Sequence, residues 1–316
     1  AGRLAKADLA TDMVREMTEL QGTIGGIYAR EDGHPEPVWK AIYHHYLPIG
    51  VEADAPPTRA QLGDAALTWA AVSLADKLDT VVGMFGAGER PTGSRDPYGL
   101  RRAAQGLVRI LIDLPELTGR DVAVALRTLV AKSLGEAAPA DAETAVCDFL
   151  LERVRFVLEQ RGFDVRNVRA VTTGDARDLQ PLQARRKLEV LPEFTDSAEF
   201  KQLAVLFKRV RNIAKNFAGE PAASGDGLLK EPAERALVQE IAQRQPVIAS
   251  AVASGQGYRQ AFAEASRFGP TVAKFFDDVL VMADDPKLRD ARLGLLKRLE
   301  VLILQLADIS EMVPES

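Results

Sequence analysis

Histidine, the side chain best suited to moving protons or binding transition metals near neutral pH, occurs at His34, His44 and His45, all within the first 45 residues. Chemistry that needs an imidazole is therefore confined to the start of the chain. His44 and His45, with Asp76 or Asp79 of ADKLDT, could gather nitrogen and oxygen donors for a divalent ion. Adjacent residues on a helix point about 100° apart, so at most one imidazole would face a shared site. The competing reading is structural: one histidine packs beside Tyr43 or Tyr46, while Lys77 and Asp79 lie on the solvent face. The common catalytic signatures are missing. The nearest approach to a phosphate-binding loop, Gly83 to Gly88, is followed by Glu89 and Arg90, which cannot supply its lysine. H-E-x-x-H, G-x-S-x-G and G-x-G-x-x-G do not occur, and no catalytic residue is assigned.

The strongest interaction signal is FKQLAVLFKRVRNIAKNF, Phe200–Phe217. Leu203, Phe207, Val210, Ala214 and Phe217 recur at steps of three and four and predict a buried stripe. Lys201, Lys208, Asn212 and Lys215 fall on the opposite face, with Arg209 and Arg211 on its flanks. Cations one or two turns apart can neutralise successive phosphates, and an asparagine among them can read a base edge. A merely solvated helix back has the same pattern. The surroundings favour RNA: Arg185, Arg186 and Lys187 are consecutive, and Arg153, Arg155, Arg161, Arg166 and Arg169 come shortly before them. The formal net charge is −5, with 9 basic and 13 acidic side chains in residues 1–95, 20 and 17 in 96–218, and 11 and 15 in 219–316. A polyanion-binding face therefore belongs in the middle third, where residues 150–218 alone hold 14 basic against 9 acidic side chains.

Helices must position these residues, because nearly every segment reads at a helical period and the fold is expected to be all-α. Predicted helices cover residues 4–17, 20–31, 36–46, 59–84, 96–113, 119–134, 141–161, 178–190, 196–217, 228–250, 256–266, 270–283 and 286–306. Asp141, ahead of Glu143 and Thr144, is the expected N-cap of the seventh of these, and Gly162 its stop. Trp39 and Trp69 read as core anchors. Cys147, the single cysteine, shares an apolar stripe with Leu150, Leu151, Val154 and Leu158; it excludes a disulfide framework and fits a reducing compartment. The loop signals are GVEADAPP (50–57), GAGERPTGSRDP (86–97) and AGEPAASGDG (218–227). The second is taken as the domain boundary, giving domains 1–95 and 96–316. The longest apolar run, Ala65–Ala75, falls short of the ~18 residues a membrane span requires. The opening AGRLAKADLATDMV lacks an initiator Met, carries charges at helical spacing and reads as part of a longer chain rather than a secretory leader.

Five segments carry a resemblance: DMVREMTELQGTIGGIYA (12–29), AIYHHYLP (41–48), SLADKLDTVVGMFGAGERPTGSRDPYGLRRAA (73–104), FKRVRNIAKN (207–216) and FFDDVLVMADDPKLRDARLGLLKRLE (275–300). Together they resemble the C-terminal part of the beta subunit of the two-subunit bacterial glycyl-tRNA synthetase, over nearly the whole chain. The resemblance implies an HD-like helical domain followed by a DALR-type helical anticodon-binding domain with connecting helices. It implies that a separate alpha subunit makes glycyl adenylate with ATP and Mg, that this fragment holds no cofactor, and that the beta subunit supplies tRNA binding. The implied partners are glycine tRNA, bound at its anticodon and acceptor region, the alpha subunit and the remainder of the beta subunit; the implied location is the cytoplasm, with no membrane.

Residue by residue, the family's KRVxNI pattern appears as Lys208-Arg209-Val210-Arg211-Asn212-Ile213. The expected tRNA contacts are Lys201, Lys208, Arg209, Asn212 and Lys215, with Arg185 and Arg186 behind them. Arg101 and Arg102 of GLRRAA either touch RNA or pair with carboxylates where the domains meet. Asp76 stands where HD-type phosphohydrolases keep their last metal-ligand aspartate, but the chain has no adjacent His-Asp pair, so hydrolase activity does not carry over. A metal phosphohydrolase using His44 or His45 with Asp76, or a subunit-assembly module, are the alternatives.

Overall fold

In the computed structural model, residues 1–50, 56–93, 95–96, 98–135, 141–219 and 223–313 are described. Parts of all three loop signals lie outside the described residues: 51–55, Ser94 and Pro97, and 220–222. The fold is all-α, with no β-strand among the described residues. No helix there is long and apolar enough to cross a membrane. The chain forms two compact units, one of residues 1–162 and 174–183, the other of 163–173 and 184–316. The units do not part at residue 95, because the helices before and after that position, Ala66–Gly86 and Leu100–Ile112, pack against each other inside the first unit.

The first unit holds α1 (Asp12–Glu16), α2 (Thr23–Glu31), α3 (Glu36–His44), α4 (Arg59–Leu62), α5 (Ala66–Gly86), α6 (Leu100–Ile112), α7 (Leu114–Thr118), α8 (Leu126–Ser133) and α9 (Ala142–Gln160). The expected helix over 4–17 is broken into two 3-10 turns, Gly2–Leu4 and Ala7–Ala10, and the short α1. Thr11 separates them: its hydroxyl caps α1 by accepting from Val14 N–H and also donates to the Asp8 carbonyl. Helix α2 packs on α3, α3 on α5, α5 on α6 and α6 on α9. The α2–α3 approach depends on Gly26, where an added Cβ would stand 2.5 Å from Tyr43 Cβ. Ala41, Leu62, Ala66, Trp69, Ala70, Ile110, Leu114 and Leu117 form one buried cluster.

Helix α5 also satisfies the end of α3. Trp69, Ser73 and Lys77 stand at i, i+4 and i+8 on one side of α5. Trp69 Nε1 donates to the His44 carbonyl at 3.0 Å, Ser73 Oγ to Leu47 at 2.8 Å, and Lys77 Nζ to Tyr46 at 2.9 Å and His45 at 3.1 Å. The His44 and His45 carbonyls belong to the end of α3, which lacks intrahelical donors, and those of Tyr46 and Leu47 to the turn that follows it. Lys77 is therefore buried, not on the solvent face, and desolvation lowers its pKa to about 8. Trp69 is a core anchor, whereas Trp39 is half-buried, with Arg30 and Lys40 near its ring. Asp141 precedes α9 but makes no side-chain cap; it lies 3.7 Å from Arg90. Gly162 does end that helix, at φ 89°.

The second unit holds α10 (Val165–Val171), α11 (Pro181–Val190, from Ala184 onward), α12 (Pro192–Thr195), α13 (Ala198–Ala214), α14 (Pro232–Ser254), α15 (Tyr258–Ser266), α16 (Phe268–Asp278) and α17 (Pro286–Leu304). Helix α13 packs on α16, on α17 and on the 3-10 turn Ile309–Met312, burying Phe200, Leu203, Ala204, Phe207, Val210 and Ala214. The stripe ends with the helix at Ala214; Phe217 lies beyond it, its ring 3.8 Å from where a Cβ on Gly294 would stand. A buried ion pair ties α14 to α17: Arg292 Nε donates to Glu234 Oε1 at 2.6 Å, and the guanidinium also reaches the Leu280 carbonyl at 2.8 Å.

Candidate nucleic-acid interface

Helix α13 starts cleanly because Ser197 Oγ accepts from Phe200 N–H at 3.1 Å. With its apolar stripe buried, the opposite face is committed to solvent. Lys201, Val205, Lys208, Asn212 and Lys215 follow one another at steps of four, three, four and three, so they form one row along the helix. Lys201, Val205, Asn212 and Lys215 are exposed and Lys208 is partly exposed. Arg209, exposed on the flank, holds its guanidinium 4.2 Å from the Phe276 ring centre. Lys215 is the C-cap residue rather than part of the helix body, where a cation also suits the helix dipole.

Beside the first half of this row lies a groove of about 520 Å³. Its lining includes Lys201, Arg166, Thr195, Val205 and Met312, together with Asn167, which is buried. Helix α10 presents Arg166 and Asn167 because Asp164 caps it, accepting from both their backbone N–H groups at 2.9 and 3.1 Å. An apolar slot with cationic groups in its lining matches the needs of an unstacked base and its phosphates. Asn167, Thr195, Val205 and Met312 were not singled out from sequence. Helices α10 and α12 are too short for a clear period, and Met312 reaches the groove from more than 100 residues away.

Lys201 itself donates to the Asp196 carbonyl at 3.2 Å, and several of the other sequence candidates also have internal partners. Arg211 pairs with Asp308, lies 3.6 Å from Glu300 and donates to Ser310 Oγ at 3.1 Å. Arg186 donates to the Gly255 carbonyl at 3.0 Å, and Arg185, 12% exposed, lies 3.2 Å from Glu189. In the first unit Arg101 reaches the carbonyls of Gly93 and Arg95, while Arg102 is exposed. Arg161 forms a two-pronged pair with Asp113 at 2.6 and 2.8 Å. Cys147 is fully buried, and burial pushes its thiol up to about 12.

The possible metal donors separate. His45 is buried and tilted against Tyr46, while His44 meets the edge of Tyr43. Burial lowers the pKa of both imidazoles; Lys40 adds to the effect at His44, and the Ile42 carbonyl opposes it at His45. No group of three His, Cys, Asp or Glu able to hold a metal occurs among the described residues. Between His45 and Asp76 stands the ammonium of Lys6, 3.0 Å from His45 Nε2 and 2.7 Å from Asp76 Oδ1. The donor set does not fit a divalent ion, since its centre is taken by a fixed positive charge.

Two family models match the chain. Residues 1–173 match the family model described as glycyl-tRNA synthetase beta subunit, and residues 204–310 match the DALR anticodon binding domain. The second match contains Lys208, Arg209, Asn212 and Lys215. The glycine–tRNA ligase beta subunit of Anaeromyxobacter dehalogenans is 41% identical over 324 residues, covering 100% of this chain and 44% of the relative. That of Ralstonia nicotianae is 41% identical over 312 residues, covering 99% and 43%, and that of Photobacterium profundum 39% over 315 residues, covering 98% and 43%. The chain thus spans less than half the length of these relatives. With one family model matching more than half of the chain, and with relatives of this identity aligned along all of it, the chain belongs to the glycyl-tRNA synthetase beta subunit family.

Proposed function

We propose that this chain is the tRNA-binding portion of a glycine–tRNA ligase beta subunit, working in the cytoplasm. It holds glycine tRNA by its anticodon loop and acceptor region, and a separate alpha subunit performs glycylation with ATP and Mg. This portion contributes binding, with no cofactor and no catalytic residue of its own. The observation that carries the reading is the solvent-facing row Lys201, Val205, Lys208, Asn212 and Lys215, with Lys208 partly exposed, beside the groove lined by Lys201 and Arg166. In this reading Lys201, Lys208, Arg209 and Lys215 neutralise phosphates and supply most of the affinity, while Asn212 meets the edges of unstacked loop bases. Arg185 and Arg186 support the unit from within. The acceptor region falls to the first unit, used as a metal-free scaffold of HD type.

The test is protection of tRNA by the full chain. Glycine tRNA and a non-cognate tRNA are probed by chemical modification with and without protein. The expected result is protection of the anticodon loop in glycine tRNA, lost when Lys201 and Asn212 are both replaced by alanine. Protection of neither tRNA, with retained binding to the alpha subunit, would replace the reading by that of an assembly module.

A further inference from the structure

The contact between Lys6, His45 and Asp76 has the form of a metal site in which the ion has been exchanged for a side chain. His45 Nδ1 lies 2.6 Å from the Ile42 carbonyl, and a carbonyl can only accept, so the ring proton is on Nδ1. The Nε2 lone pair is thereby aimed outward, in the manner of metal-binding histidines held by a backbone carbonyl. It points at Lys6 Nζ, 3.0 Å away. Asp76 Oδ1, from a different helix, meets the same nitrogen at 2.7 Å, and the Tyr46 ring centre lies 3.7 Å from it. The ammonium thus meets His45, Asp76 and the Tyr46 ring together, while the Lys6 side chain stays 41% exposed. Asp8, the nearest further carboxylate in sequence, is directed elsewhere, since its Oδ2 accepts from Gly22 N–H at 2.6 Å.

We infer that Lys6 is a built-in cation standing where a divalent ion would stand, so that the first unit ties its N-terminal segment to α3 and α5 without metal. The chemistry of the position is still that of a metal site. A Lys6→Glu substitution exchanges the positive charge for a carboxylate one atom shorter. A metal–oxygen bond of about 2.0–2.2 Å makes up the missing reach and places an ion close to the former ammonium. One nitrogen and two carboxylates would then face a single point, a donor set that accepts Co²⁺ or Zn²⁺.

The experiment titrates the full chain with Co²⁺, read by visible absorption and by the melting temperature, for wild type, Lys6→Glu, Lys6→Gln and each of the first two combined with His45→Ala. Wild type is expected to show no Co²⁺ absorption dependent on His45 and no change of Tm with Co²⁺ or chelator. Folded Lys6→Glu is expected to bind one Co²⁺ at a half-saturation at least about tenfold lower than wild type, the low end of what altered ligand environments do to metal affinity, and to lose it with His45→Ala. Stoichiometric, His45-dependent Co²⁺ binding by wild type would overturn the inference, as would a folded Lys6→Glu protein that binds no more Co²⁺ than wild type. Should Lys6→Glu fail to fold, Lys6→Gln carries the same comparison with its amide oxygen as the added donor: tighter Co²⁺ binding than wild type supports the inference and equal binding overturns it. The tRNA reading is not involved, because no arm of the experiment uses RNA.

Discussion

Replacing Lys208 and Lys215 together by alanine removes two of the four cations proposed to lie along the RNA, and the consequence can be worked in numbers. Contacts to single-stranded nucleic acid lower log K by about 0.7 per neutralised phosphate for each decade of salt, so Lys201, Lys208, Arg209 and Lys215 together set a slope of about −2.8. Raising monovalent salt from about 50 to about 200 mM should then weaken glycine tRNA binding by roughly 50-fold in wild type and, at a slope of about −1.4, by roughly 7-fold in the double variant. The fold is not expected to suffer: the stripe that buries α13 lies on the opposite side, and alanine is the best helix former. Fluorescence anisotropy of labelled glycine tRNA across a salt series gives both slopes, with circular dichroism confirming the variant's helicity. A folded variant whose slope equals that of wild type would refute the placement of RNA along α13, whatever its affinity.

Three further outcomes are expected. Arg292→Ala removes the charge partner of the fully buried Glu234 carboxylate, leaving it the hydrogen bond from Glu231 N–H at 2.9 Å, and should lower the unfolding free energy by about 3–5 kcal/mol, seen as a lower urea midpoint at an unchanged slope; a loss below about 1 kcal/mol would show that the carboxylate finds another charge partner. Lys77 has a folded-state pKa of about 8 against an ordinary 10.5, so in that interval the unfolded chain binds more protons and stability must rise with pH. The stability of wild type relative to Lys77→Met should therefore grow between pH 8 and 10.5, and a flat difference across that interval would contradict the burial of the ammonium. Cys147, buried and with its thiol raised to about 12, should react with a thiol reagent only after unfolding; reaction in the native state at the rate of a free cysteine would place it at the surface.

The readings that held are those in which backbone geometry does the selecting. Leu203, Phe207, Val210 and Ala214 recur at the helical period, and since that period is a property of the α-helix, the buried side of α13 and its opposite face follow from their spacing alone. The same holds for the burial of Cys147 in its stripe. Short elements escaped: α7, α10 and α12 have 5, 7 and 4 residues, too few for a period to show. Their caps were also ambiguous, since Asp164 caps α10 while Asp141, equally plausible ahead of α9, does not cap it. The resemblance to a known family reached further than any of these patterns, because it draws on long specific strings rather than on periodicity.

Charged residues divide differently. Arg209 and Arg211 look equivalent along the chain, yet Arg209 lies over Phe276 at the surface while Arg211 is bound to Asp308, 97 residues on. Lys77 looks like a surface lysine but closes the end of α3, and Lys6, with no mark in the sequence, meets His45 and Asp76. Local spacing assigns a side chain to a helix face, because each face repeats every few residues. Whether a charge on that face meets water, a carbonyl or a carboxylate depends on which distant segment is packed there, and that choice is made by the burial of all the helices together.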